Sequence, residues 1–364
     1  MKKIFLLFTM TVTMVLCTCN AKSFTIHRGI NISHWLSQSD SRGEERVKWF
    51  TRDDVKFIAE SGFDHLRIPI DEEQMFNEDL TPDAEAFGLL HQALGWCKEF
   101  GLRAVVDLHI IRTHHFNAQD KPLFTDEKAQ ERFYECWRKI SAQLSKYPRS
   151  MVAYELMNEP VADDPEIWNT IANRCLAAVR KLEPKRTIII GSNRWQSFDT
   201  VKQLRVPTDD KNIIISFHFY NPFMFTHYRA SWTDMKNIPC TIHYPGNLIS
   251  EEDFAAMDQS MKNRYANGAG KRGYNDINTL ESEIKQAFDA VSKLGKKAYL
   301  GEFGAIHGAP EADRIQWYKD IVSICEKYGI GYANWDYKGG FGIIRNGEKQ
   351  QQMIDTLTGK SNIK

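Results

Sequence analysis

Two glutamates fall where apolar runs give way to polar residues. Glu159 lies in "YELMNEP" (Tyr154 to Pro160), and Glu302 lies in "KAYLGEFG" (Lys297 to Gly304). The bland reading of Asn158-Glu159-Pro160 is a strand that finishes, with polar residues meeting water and proline stopping the pairing. The chemical reading is a carboxyl group held at a rim for acid/base work, which needs a second carboxylate facing the same space. Glu302 has the matching setting. Glu155, four residues before Glu159, would share its side of a strand and is read as structural.

The elements between them decide whether the two can meet. Eight short apolar runs read as strands: Phe24 to Ile32, His65 to Ile70, Arg103 to Ile110, Met151 to Met157, Arg186 to Ser192, Asn212 to Tyr220, Lys297 to Gly304 and Gly329 to Trp335. Near-continuous apolar composition suits parallel strands covered on both faces. The intervening segments carry helical periods. Phe87, Leu90, Leu94 and Cys97 make one stripe, with Thr81-Pro82 as the expected start and Gly101 as the expected stop. Ile315, Tyr318, Val322 and Cys325 repeat the pattern before Gly329. Strands alternating with helices over most of 364 residues predict a single-domain (β/α)8 TIM barrel. An aromatic-rich insertion, from about Asn221 to Tyr274, follows the sixth strand.

In such a barrel, polar residues at the C-terminal strand ends share one mouth. They are Arg67, His109, Asn158-Glu159, His218, Tyr220, Glu302 and Trp335. Two carboxyl groups in one mouth are the minimal equipment for glycoside hydrolysis. The pieces "LRIP", "DLH", "MNEP", "HFY", "GEFG" and "NW" occur in that order over nearly the whole mature chain. Together they resemble glycoside hydrolase family 5, the cellulase family. The resemblance implies that Glu159 is the general acid/base and Glu302 the nucleophile of a retaining reaction. It also implies that Arg67 and Tyr220 hold Glu302 ionised, that Asn158 grips the sugar 2-hydroxyl, and that His109 and His218 orient polar groups. Trp335 would form the floor beneath the sugar.

One departure from the family pattern is "NISHWLSQ", where many relatives have an Asn-Trp pair in place of His34-Trp35; both residues are expected to face the cleft. The loop "HIIRTHHF" (His109 to Phe116) is idiosyncratic. The resemblance implies a β-linked polysaccharide or oligosaccharide substrate, with endo-β-1,4-glucanase action leading. Exo-acting β-glucosidase or β-1,3-glucanase action, or mannanase action, is the alternative. No cofactor or metal is expected. A metal-dependent barrel hydrolase would start with two histidines one residue apart on the first strand, whereas His27 and His34 stand seven apart. A glycan-binding protein without activity would have lost one of the glutamates.

Composition narrows the partners. Formal net charge is zero, which argues against nucleic acid or an acidic membrane surface as a partner. Lys2-Lys3, an apolar run from Ile4 to about Leu16, and small or polar residues through Ala21 read as a signal peptide. The domain reading is therefore residues 1–21 as leader and 22–364 as catalytic domain, in an exported protein: periplasmic, cell-surface or extracellular. Cleavage after Ala21 would give a soluble protein, and cleavage before Cys17 or Cys19 a lipid-anchored one. Cys97, Cys136, Cys175, Cys240 and Cys325 have no metal-ligand spacing and read as buried apolar side chains.

Overall fold

The computed structural model describes residues 23–266 and 273–360. The expected leader, with Cys17 and Cys19, lies outside them. All eight expected strands form: β1 (Arg28–Asn31), β2 (His65–Asp71), β3 (Arg103–Ile110), β4 (Val152–Glu155), β5 (Ile188–Gly191), β6 (Ile213–Phe219), β7 (Lys297–Phe303) and β8 (Gly331–Asn334). Each pairs in parallel with the next, and β8 returns to β1, closing the barrel. Every residue of β2 and β6 is buried, as strands lined inside and covered outside must be.

Alternation along the strands sorts the interior into layers. Val105, Ala153, Ile189, Ile214, Tyr299 and Ala333 fill the floor, and Phe24 joins them from the N-terminal side. Two residues further along, the inward positions turn polar: Asn31 pairs in register with Arg67, and Asp107 with Glu155. A hydrophobic floor thus carries a polar layer toward the C-terminal mouth.

The outer layer consists of α1 (Arg52–Ser61), α2 (Ala84–Phe100), α3 (Glu127–Leu144), α4 (Pro165–Leu182), α5 (Ile277–Lys293), α6 (Glu311–Tyr328) and α7 (Gln351–Leu357). Both expected apolar stripes are buried, and Gly101 and Gly329 end their helices with φ of 76° and 65°. The start of α2 differs from expectation. Asp83, not Thr81, is the N-cap, its carboxylate accepting from the Ala86 N–H at 2.7 Å. Between β5 and β6 there is no long helix, only Asn193–Gln196 and Val201–Gln203. Among the described residues, the insertion after β6 holds four short helical segments and a two-stranded ribbon, Gly246–Asn247 with Tyr274–Asn275. The five cysteines among the described residues are buried and form no disulfide there.

Candidate active site

Glu159 owes its position to a backbone reversal rather than to strand alternation. β4 ends at Glu155, two residues earlier than expected. Four residues on, Glu159 has φ of 47°, a left-handed conformation that costs a non-glycine residue energy. The loop is held from both sides. The Asn158 N–H donates to the Leu108 carbonyl at 3.1 Å, and His114 Nε2 to the Glu159 carbonyl at 3.2 Å. Gln196 Nε2 donates to the Met157 carbonyl at 2.9 Å. Gln196 reaches inward because Arg194, Trp195 and Gln196 form a left-handed turn, with φ of 57°, 58° and 54°.

Glu302 is aimed by a bulge. Phe217 pairs with Leu300 but His218 pairs with Glu302, so Gly301 is left over. The extra residue shifts the alternation and turns Glu302 toward the barrel axis beside His218. Glycine is needed there, because a Cβ on residue 301 would lie 2.5 Å from Ser216 Oγ.

Beneath these carboxylates sits the fully buried Arg67. Its Nη1 donates to Glu302 Oε1 at 2.7 Å and to Asn31 Oδ1 at 2.9 Å. Its Nε donates to Glu155 Oε2 at 2.7 Å, while Nη2 reaches Asp107 and Asn158 Oδ1, each at 3.0 Å. Burial opposes the guanidinium charge, yet Asp107, Glu155 and Glu302 together hold it protonated. Glu302 also accepts from the Tyr220 hydroxyl at 3.0 Å. Glu159 has a different neighbour, His218, whose Nδ1 lies 2.9 Å from Oε1. Burial drives His218 well below its usual range, so it is neutral.

These surroundings separate the two carboxyls. Burial raises both, and the facing Glu302 carboxylate raises Glu159 further. Arg67 and the Tyr220 hydroxyl counter the rise at Glu302. Glu159 is therefore the group that keeps its proton, and Glu302 the one that ionises first. An oxygen of each, and a nitrogen of His218, all lie within 4.8 Å of one another.

Comparison with known proteins places the chain in a family. The model of the cellulase family, glycosyl hydrolase family 5, matches residues 20–340. The chain belongs to glycosyl hydrolase family 5. It is a glycosidase acting on O-glycosyl compounds. Endoglucanase C of Acetivibrio thermocellus is 35% identical over 337 residues, covering 90% of this chain and 97% of that one. Cellodextrinase A of Ruminococcus flavefaciens is 31% identical over 85% of this chain and 84% of its own. Among solved structures, Cel5A of Thermotoga maritima, described in complex with mannotriose, superposes with a TM-score of 0.73. It is 26% identical, over 91% of this chain and 97% of that one.

Within this family 5 barrel, Asn158, Glu159, Tyr220, Glu302, His109, Trp335 and His34 line one cleft. Arg67 and His218 lie just under it. His109 stacks on Trp335 with ring centroids 5.6 Å apart, and Asp107 accepts from its Nδ1 at 2.7 Å. Burial pushes His109 down to about 3, so the ring is neutral. Trp35 departs from expectation. It is 1% exposed, packs on Phe50 and donates its indole N–H to the Arg46 carbonyl at 2.9 Å. The left-handed backbone at His34, φ 58°, sends the two neighbours to opposite sides, so only His34 reaches the cleft.

Some residues of the site did not stand out in the sequence. Asp107, which surrounds Arg67 together with the structurally read Glu155, follows from alternation once Val105 and Ala153 are placed inward. The walls formed by Gln38, His115, Phe116 and Asn117, and by His227, Trp232 and Phe341, come from loops that carry no periodic signal. Trp195, 43% exposed on its left-handed turn, donates its backbone N–H to the Pro160 carbonyl and stands beside the Glu159 loop.

Proposed function

We propose that the protein is a retaining endo-β-1,4-glucanase, with Glu159 as general acid/base and Glu302 as nucleophile. The observation that carries the mechanism is that the two carboxyls face each other, with an oxygen of each within 4.8 Å of the other. Retaining glycosidases hold theirs about 5–5.5 Å apart, while inverting enzymes need room for a water between them. Glu302, ionised against Arg67 and Tyr220, attacks the anomeric carbon as Glu159 protonates the departing oxygen. Glu159, now a carboxylate, then takes a proton from the water that opens the glycosyl-enzyme.

Asn158 supports the sugar 2-hydroxyl contact in this reading. Its Oδ1 is taken by Arg67, which leaves the buried Nδ2 without a protein partner among the described residues, on the cleft wall. Trp335, backed by His109, supplies a flat face beneath the sugar.

The choice of β-1,4-glucan rests on relatives named endoglucanase. One observation favours chain-end attack as a second reading: the insertion adds Trp232, 62% exposed, beside Phe341 at 6.3 Å. A panel of purified β-glucans and mannan with product sizing tests the proposal. Mixed cello-oligosaccharides appearing early from soluble cellulose support endo action. A single short product points to chain-end attack, and activity confined to mannan overturns the glucanase reading.

Export is part of the same proposal and rests on residues 1–21. Mass spectrometry of the mature N-terminus tests it. A start at Lys22 supports a soluble form, an acylated Cys17 or Cys19 supports an anchored one, and retained Met1 overturns it.

A further inference from the structure

We infer that His114 is a positioning residue for the acid/base carboxyl, acting through the backbone of Glu159. The inference rests on the reading of Glu159 as the general acid. The left-handed conformation of Glu159, φ 47°, is one a side-chain-bearing residue adopts only when its surroundings hold it there. The Glu159 carbonyl takes a hydrogen bond from His114 Nε2 at 3.2 Å. A carbonyl can only accept, so the histidine must carry its proton on Nε2.

Three features fix that ring. His114 is 1% exposed, and burial pushes it down to about 4, which keeps it neutral. Its ring meets Phe124 edge-on at 5.1 Å. Its backbone closes a four-residue turn at the end of β3, exchanging two hydrogen bonds with Ile111 at 2.9 and 3.1 Å. The turn belongs to the loop "HIIRTHHF", whose next residues, His115 and Phe116, line the cleft. One loop therefore shapes the sugar site and pins the acid's peptide.

A residue that only supports the fold would slow all substrates alike. A residue that positions the acid should matter where the departing oxygen needs a proton. The test uses aryl β-cellobiosides with dinitrophenyl and phenyl leaving groups, on the whole catalytic chain. His114→Phe keeps a ring beside Phe124 and removes the donor. It should lower kcat/KM at least about tenfold on the phenyl substrate while changing the dinitrophenyl substrate less than about twofold. His114→Gln, which keeps an N–H at a similar reach, should recover most of the phenyl activity.

Equal losses on both substrates, no loss on either, or a Gln variant as impaired as Phe would overturn the inference. Glu159→Gln, run alongside, separates the two levels. If Glu159→Gln shows the leaving-group dependence and His114→Phe does not, only the positioning role falls. If Glu159→Gln lacks that dependence, the acid assignment falls and this inference with it.

Discussion

His218 and Glu302 face each other across the seam of β6 and β7 because Gly301 stands unpaired between Leu300 and Glu302. The bulge leaves no space for a side chain at 301, since Ser216 Oγ already occupies it. Gly301→Ala should therefore destabilise the fold by about 1–3 kcal/mol, the usual cost of overpacking, and lower kcat. Ser216→Ala removes the obstructing oxygen and should return part of both losses in the double variant. Thermal melts and initial rates of the four proteins check it. Additive losses would mean that the contact is not the cause.

Arg67 is shared among Glu155, Asp107 and Glu302, so its loss is both chemical and structural. Arg67→Leu leaves buried carboxylates without a counter-charge and should cost about 3–5 kcal/mol of stability. Turnover should fall by orders of magnitude, because Glu302 would hold its proton. Arg67→Lys keeps the charge but not the fork, and should fall between the two in both measurements. Near-parental turnover in the leucine variant would make Arg67 a purely structural ion pair.

The pH profile of kcat/KM should be bell-shaped, with both limbs above the ordinary carboxylate range. In the proposed mechanism Glu302 acts ionised, so the rate should rise as pH climbs through its raised pKa. Glu159 acts protonated, so the rate should fall as pH passes the pKa that burial and Glu302 have raised further. Tyr220→Phe removes a hydrogen bond that favours the Glu302 anion, and should move the acid limb upward. An unmoved acid limb would assign that limb to another group.

The two glutamates should respond to azide in opposite ways. Under the proposed roles, Glu159→Ala should still form the glycosyl-enzyme from a substrate with a good leaving group, while water would lack a base in the second step. Azide, which needs none, should restore turnover and give the β-glycosyl azide. Glu302→Ala should form no covalent intermediate, and azide entering from its side should give the α product. Chiral analysis of the azides decides, and interchanged anomers would reverse the assignment. In the parent enzyme, NMR should show the β-anomer of the product first; an initial α-anomer would refute retention.

Most of the barrel was legible in the sequence because parallel strands covered on both faces leave unbroken apolar runs. Periodic stripes ending in glycine gave α2 and α6 for a similar reason. What escaped was local geometry that one residue decides. The bulge at Gly301 and the left-handed Glu159 are invisible to alternation, yet they aim both carboxyls. Trp35 was expected in the cleft because nothing in "SHW" signals that His34 reverses the chain. Asp83 displaced Thr81 as the cap of α2 because its carboxylate is the one that meets the free N–H of Ala86. The cleft walls were legible only as an aromatic-rich insertion and an unusual loop, since side chains that meet across loops leave no period.

Phe24 enters the barrel floor, at the end opposite the carboxyls. Anything joined to the chain just ahead of it, whether a bead, a carrier domain or an acyl chain, would grip the enzyme by its base. Fastened that way, the protein would present its open cleft outward to a fibre too large to diffuse, and immobilisation through this end should leave access to insoluble substrate intact.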